Sequence, residues 1–206
     1  MLQPVPNDDD RADWAKRAKA VLRQKQRALR QALPETAARA RSARIVEGLL
    51  QHPKLSTAKS VALFWPMIER REIDLRPLDA ELRVRGVALY YPFMTRTEGG
   101  DMLTGFRFAA SVEELVVREQ RFAEPPATAS IAQRGDVDVV VVPALAATLD
   151  GQRLGYGSGF YDATLPDLCP PAFSIVVVHD FQLMLELPVE SHDFGCGAVV
   201  SDRQRP

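Results

Sequence analysis

The sequence predicts an α/β fold: a single three-layer domain with a mostly parallel central sheet flanked by helices, and an N-terminal helical pair packed on it. Two observations lead there. From Ser60 onward, short β-branched runs alternate with segments of helical spacing, the order that buries a parallel sheet under helices on both faces. The most apolar run, "VDVVVVP" at 137–143, lacks polar alternation. That marks a strand covered on both sides and places it at the sheet centre.

Residues 1–8 read as a disordered lead and 9–206 as the folded domain. Asp9 or Asp10 can cap the first helix, because carboxylates favour the positive helix start. The helix runs to about Leu33 and Pro34 ends it. Trp14, Ala18, Val21, Leu22, Leu29 and Leu33 fall near helical spacing, and the remainder is strongly basic. "ETAARARSARIVEGLLQH" reads as a second helix closing before Pro53. "SVALFW" is a buried strand. "IDLRPLDAELRVRG" is a helix ended by Gly86, and "VALYYPF" a second strand. "MLTGFRF" is a third, with Gly105 as a candidate bulge. "SVEELVV" is a short helix or turn, and "EPPATASIAQRGD" a loop. After the central strand come a glycine-rich loop, the helix start "FYDATLPDL", the strand "FSIVVV", a short helix "FQLMLEL" and the final strand "GAVVSD".

Composition narrows the function. The 206 residues carry 46% hydrophobic and 26% charged residues, ordinary for a globular chain, and a net charge of -1. That balance argues against a general nucleic-acid binder but leaves room for a local anion site. Cys169 and Cys196 make neither a disulfide framework nor a zinc site, so reduced thiols and a cytoplasmic location are expected. The acidic start "MLQPVPNDDD" has no secretory h-region. The longest apolar run is too short to span a bilayer, so no membrane role is expected. His179 and His192 have no evident metal-ligand company in the sequence.

The stretch "DGQRLGYGSGFYDATL" (150–165) carries the chemistry. It lacks the Gly-Lys-Ser/Thr of a P-loop, and its glycines at 155, 157 and 159 miss the 1-3-6 spacing of the dinucleotide fingerprint. Ser158 lacks the flanking glycines of a nucleophile elbow. The physical logic survives: glycines admit positive φ, successive N–H groups form an anion nest, and a helix starting near Ser158 or Gly159 adds its dipole. Arg153 supplies a guanidinium fork suited to phosphate. Phosphate binding and a bare tight turn both fit this spacing.

These residues closely resemble the 5-formyltetrahydrofolate cyclo-ligase family, also called 5,10-methenyltetrahydrofolate synthetases, whose pattern is G-x-R-L-G-x-G-x-G-x-Y-D-x-x-L; residues 151–165 match every fixed position. "KAVLR" (19–23), "ALFWPMIERREIDLRPL" (62–78), "VVVVPALAA" (139–147) and "LPVESHDFGCGAVVSD" (187–202) are similar to further family segments, in order. The resemblance implies conversion of 5-formyltetrahydrofolate to 5,10-methenyltetrahydrofolate with ATP and Mg2+, through phosphorylation of the formyl oxygen and release of ADP and phosphate.

Residue by residue, the resemblance implies ATP contacts from Lys19, Arg23, Arg153, Leu154, Gly155, Tyr156, Gly157, Ser158, Gly159, Phe160 and Tyr161. Arg153 and Tyr161 would serve catalysis. Met67, Glu72 and Tyr161 would contact the folate, with Trp65 as a further lining residue, and Asp162 and Asp193 would ligate magnesium. The expected partners are these small molecules alone, bound by a monomer. The chain departs from the pattern in two places. Ala147-Thr148 stand where the family has Phe-Asp, with Asp150 nearby, and the run from Pro66 to Glu72 is longer than usual. Two other readings fit the same residues: a nucleotide- or folate-binding regulator without turnover, and a related enzyme activating another substrate. RNA binding by the basic first helix is a third.

Overall fold

The structure, a computed structural model, describes residues 8–97, 99–117 and 122–203. Two helices, α1 (Asp8–Gln31) and α2 (Glu35–Gln51), are followed by the single turn α3 (Pro53–Ser56) and the strand β1 (Ser60–Ala62). Then come α4 (Arg76–Val84), the hairpin strands β2 (Ala88–Arg96) and β3 (Met102–Phe108), and the short pair β4 (Val116–Val117) and β5 (Ala123–Glu124). The second half holds β6 (Val139–Pro143), the small pair β7 (Ala146–Ala147) and β8 (Arg153–Leu154), α5 (Phe160–Leu168), β9 (Phe173–Val178) and β10 (Ala198–Ser201).

Six strands form one sheet in the order β10-β9-β6-β1-β2-β3. All neighbours are parallel except β2 and β3. The apolar run at 139–143 lies inside the sheet, as its composition predicts. Its side chains alternate between two cores: Val139 and Val141 face Ile45, Leu49, Leu78 and Leu82, whereas Val140 and Val142 face Phe160, Leu165 and Leu168. A strand that feeds both cores has no polar face, which is why the run reads as continuous valine.

The helical pair divides between two tasks. The buried residues of α2, including Ala38, Ser42, Ile45 and Leu49, recur at helical spacing, and the helix packs on β10 and α4. The first helix does not use the apolar side expected of it. Trp14 is 67% and Val21 66% exposed, whereas Lys19 is 3% and Arg30 4% exposed. Its inward face is Ala15, Lys19, Gln26 and Arg30, because that face meets the loops of the site and not the core.

Three local expectations change. Gly105 is not a bulge, because β2 and β3 stay in continuous register from Tyr90↔Phe108 to Arg96↔Met102. A Cβ at Gly105 would lie 2.9 Å from the Phe93 ring, so the glycine makes room for a side chain. "FQLMLEL" forms only a single 3-10 turn at Asp180–Gln182. There the Gln182 side chain donates to Leu145 O (2.6 Å) and accepts from His179 N (3.0 Å). Beyond it, Met184 N donates to Ala147 O (2.9 Å), which draws the chain out straight beside β7. Third, α4 begins at Arg76, so Glu72 lies in the connection before it. The expected lead falls, but for Asp8, outside the described residues, as do the side chains of Asp9 and Asp10.

The last strand is pinned by a buried carboxylate. Asp202 accepts from Arg41 (2.5 Å), from Arg44 (3.4 Å) and from Asp180 N (2.8 Å), with His179 Nδ1 at 3.7 Å. Burial alone would push this carboxyl up; the His179 ring, the Asp180 N–H and the Arg41 charge outweigh it and hold it well below the usual carboxylate range. A carboxyl depressed in the folded state stabilises the fold above its unfolded pKa of about 4, and that contribution is lost as pH falls further. Urea midpoints measured from pH 6 to pH 3 should therefore fall more steeply for the wild type than for Asp202→Asn. At pH 7 the variant should lose about 2–3 kcal/mol.

Candidate functional site

The strands β1 and β6 are neighbours, but the chain leaves them in opposite directions across the sheet, toward β2 and β3 on one side and β9 and β10 on the other. Such a switch point opens a crevice beyond the carboxyl ends of the strands. Phe64, Trp65 and Met67 follow β1 into it, and Pro143 ends β6 there. The crevice holds two adjoining hollows: a cavity of about 790 Å³ and a tighter polar cleft of about 120 Å³. Pro143, Tyr156, Ser158, Phe160 and Tyr161 line both and form the wall between them.

The glycine loop shapes the cleft. Gly157 (φ 103°) and Gly159 (φ 73°) hold left-handed conformations that side chains resist, and Gly159 is the N-cap of α5. Among the described residues, the N–H groups of Tyr156, Gly157, Ser158 and Gly159 donate to no backbone carbonyl. Two arginines of α1 take the loop's carbonyls instead: Arg23 Nε donates to Gly155 O (3.1 Å) and Arg27 to Tyr156 O (2.7 Å). Carbonyl and N–H point opposite ways in a trans peptide, so these contacts turn the N–H groups of Tyr156 and Gly157 away from the helix. Free N–H donors at a helix start form an anion site.

Every residue expected to bind nucleotide lines this cleft. Lys19 reaches it from α1, four residues before Arg23 on the same face, and Arg153 reaches it from β8. The Arg153 guanidinium donates to Asp162 (2.7 Å) and lies 5.7 Å from the Tyr161 ring centre. The two carboxylates expected to hold metal, Asp162 and Asp193, line the same cleft but have different partners. Asp162 is occupied by Arg153 and by Phe194 N (3.1 Å). Asp193 instead groups with Glu190 and His192, whose donor atoms all lie within 4.8 Å of one another. His192 thus has the acidic company that the sequence reading denied it. Glu190 was legible as part of Pro-x-Glu-x-His-Asp but was not singled out.

Lys19 Nζ sits on the same carboxylates, 2.6 Å from Glu190 and 2.5 Å from Asp193. A cation already prefers this spot. Carboxylate oxygens beside a phosphate-sized cleft are the hard donors that Mg2+ takes, so the donor set fits that ion, with Asp162, Glu190 and Asp193 as the residues to hold it.

The larger cavity carries the expected folate residues Met67 and Glu72 together with Tyr161 and Trp65. Glu72 is only 6% exposed and is no surface charge. The longer Pro66–Glu72 run is absorbed by a 3-10 turn at Ile68–Arg70 and by Arg71 at φ 54°, which swings the chain inward. Glu72 Oε2 then accepts from Met67 N (2.9 Å). Burial pushes the Glu72 carboxyl up, while Arg30, Met67 N–H, Tyr156 and Arg70 pull against that shift. Burial likewise raises the Tyr156 and Tyr161 phenols, which stay protonated. Arg30, which the sequence reading missed, donates to the Tyr156 hydroxyl from α1.

The Ala147-Thr148 departure has a structural answer. Ala147 is buried in β7 opposite Arg153, and Thr148 Oγ1 accepts from Gln152 N (3.1 Å), closing the turn that leads into the glycine loop. The hydroxyl performs the local turn-closing that an aspartate can perform. Asp150 is exposed and takes no part.

Comparison with known proteins points to one family. The chain is similar to the 5-formyltetrahydrofolate cyclo-ligase of Mycolicibacterium smegmatis, 42% identical over 91 residues that span 44% of this chain and 47% of that protein. It is also similar to the protein of that name from Escherichia coli, 32% identical over 155 residues that cover 74% of this chain and 83% of that protein. The solved 5,10-methenyltetrahydrofolate synthetase of Aquifex aeolicus superposes with a TM-score of 0.76 at 29% identity, covering 90% of each chain. That of Mycoplasma pneumoniae shares the fold at a TM-score of 0.68 and 19% identity, over 90% of this chain and 99% of that one. The family model for 5-formyltetrahydrofolate cyclo-ligases matches residues 15–202, and with the loop, the cleft and the cavity in place the chain belongs to the 5-formyltetrahydrofolate cyclo-ligase family.

Proposed function

We propose that this protein converts 5-formyltetrahydrofolate to 5,10-methenyltetrahydrofolate, using ATP to activate the formyl oxygen and releasing ADP and phosphate. It would act as a single folded unit from residue 9 onward, on small molecules only. The observation that carries this reading is the shared wall: the glycine loop that lines the cleft also borders the cavity that holds Glu72, so phosphate and folate would meet at Tyr161.

The chemistry suits that arrangement. A formamide oxygen is a poor leaving group. The formyl oxygen attacks the terminal phosphorus of ATP, the bond to ADP breaks, and an iminium phosphate forms at N5. The N10 amine then adds to the formyl carbon and loses its proton, and the C–O bond breaks to release phosphate. Neither step needs a protein nucleophile, so catalysis rests on positioning and on stabilising phosphate charge. In this reading the loop N–H groups, Lys19 and Arg23 hold the phosphates. Arg153 keeps Asp162 and the Tyr161 ring in place. Mg2+, held by Asp162, Glu190 and Asp193, would supply charge neutralisation on the phosphate oxygens. Lys19 would then exchange its carboxylate partners for phosphate as ligands arrive.

Incubation with 5-formyltetrahydrofolate, Mg2+ and ATP should give methenyl absorbance and ADP in equal amounts; folate binding without either product would refute turnover. Lys19→Ala should raise KM for ATP about tenfold, the loss of roughly one charge-assisted contact. Gly157→Val should act more severely on the same constant. A β-branched residue resists the positive φ held there, and a Cβ at that point already touches Arg23 at 3.5 Å, so the valine branches would have to find room beyond it. Normal ATP kinetics in the valine variant would mean that the loop is only a turn.

A further inference from the structure

Glu72 is held by two residues that lie outside every fixed position of the glycine signature. Tyr156 occupies a position the pattern leaves open, and Arg30 lies near the end of α1, seven residues beyond Arg23. The Arg30 guanidinium is buried, donates to the Tyr156 hydroxyl through one nitrogen, and brings another to 3.9 Å from Glu72 Oε1. It also lies over the Tyr156 ring, 5.3 Å from its centre. The Tyr156 hydroxyl accepts from Arg30 and has its own proton free to donate to Glu72, with which it interacts. The other Glu72 oxygen is committed to Met67 N–H. One carboxylate is thus fixed from three directions, by α1, the glycine loop and the segment after β1.

We propose that Arg30 and Tyr156 are positioning residues: together they orient Glu72 toward the cavity and oppose the protonation that burial favours, so that it can accept from the N–H groups along the ring edge of a reduced folate. This rests on the folate reading above. Its physical basis is independent of that reading. A carboxylate in a cavity loses hydration, and without a neighbouring cation it takes up a proton and ceases to be an acceptor. Among the described residues, the charged and titratable groups facing Glu72 are Arg30, Arg70, Tyr156 and Tyr161. Of these, Arg30 is the buried cation, and both tyrosines remain neutral. The arrangement also explains an arginine on the inward face of the helix that meets the Tyr156 side chain, where Arg23 and Arg27 meet loop carbonyls.

Three variants test it. Tyr156→Phe removes one hydroxyl and keeps the ring, Arg30→Gln removes the charge, and Arg30→Lys keeps a charge without the fork. Tyr156→Phe should raise KM for 5-formyltetrahydrofolate about three- to tenfold, the size of one hydrogen bond. KM for ATP should stay within about twofold, since Tyr156 would meet the nucleotide through its main-chain N–H, which this substitution leaves in place. Arg30→Gln should raise the folate KM further, and its KM should climb as pH falls from 8 to 6, because removing the cation moves Glu72's protonation upward; Arg30→Lys should recover part of the loss. The ligand-free proteins supply a readout that needs no turnover. In carbon-13 spectra of glutamate-labelled protein, with Glu72→Gln to identify the signal, the Glu72 carboxyl should titrate at higher pH in Arg30→Gln than in wild type. Matching rises in both KM values, an unchanged folate KM in folded Tyr156→Phe, or a Glu72 titration indifferent to Arg30 would each overturn the proposal. If the wild type fails to turn over 5-formyltetrahydrofolate, the function above falls, and the titration still decides whether Arg30 governs Glu72.

Discussion

Neighbouring strands whose connections diverge leave a gap in the layer above them, and this chain builds its chemistry in the gap above β1 and β6. The sheet carries no functional group there; its valines serve the two cores. What it contributes is a fixed separation between two strand ends. One continues through Phe64 and Trp65 toward Glu72, and the other through Pro143 toward the glycine loop. With that separation set, the loop has only to turn tightly enough to leave its N–H groups unpaired, and glycines at 157 and 159 meet that need.

The site is organised by buried charge, and each charge has a stated partner. Arg153 answers Asp162, Lys19 answers Glu190 and Asp193, and Arg30 faces Glu72. Leaving any one of these unpartnered in so enclosed a place would be costly. The pairs also fall into two groups along α1. Lys19 and Arg23 line the cleft, and Arg30 reaches the cavity about two turns beyond Arg23. A single helix therefore sets the spacing between the glycine-lined cleft and the Glu72 carboxylate.

Much of this was legible beforehand. The continuous valine run announced a central strand because burial on both faces leaves no position for a polar residue. The glycine stretch left an anion nest and a bare turn both open, and its fixed positions identified the family. The inward face of α1 was not legible, because periodicity analysis assumes that apolar side chains point in. Here the helix covers a polar cleft, so Trp14 and Val21 face outward and Lys19 and Arg30 inward. The carboxylate cluster was half visible: Asp193 stood out, but its grouping with Glu190 and His192 depends on a loop whose path no local pattern dictates. Arg30 was hidden among many similar arginines, and only the position of Tyr156 separates it from them.

A helix attached this way has an unusual adhesive. Ordinary surface helices are glued by leucines and valines, whose grip barely notices dissolved electrolyte. Here guanidinium-to-carbonyl and ammonium-to-carboxylate contacts do the holding. The seating of α1 over the crevice is thereby sensitive to salt, while the sheet beneath, cemented by aliphatic side chains, stays indifferent to it.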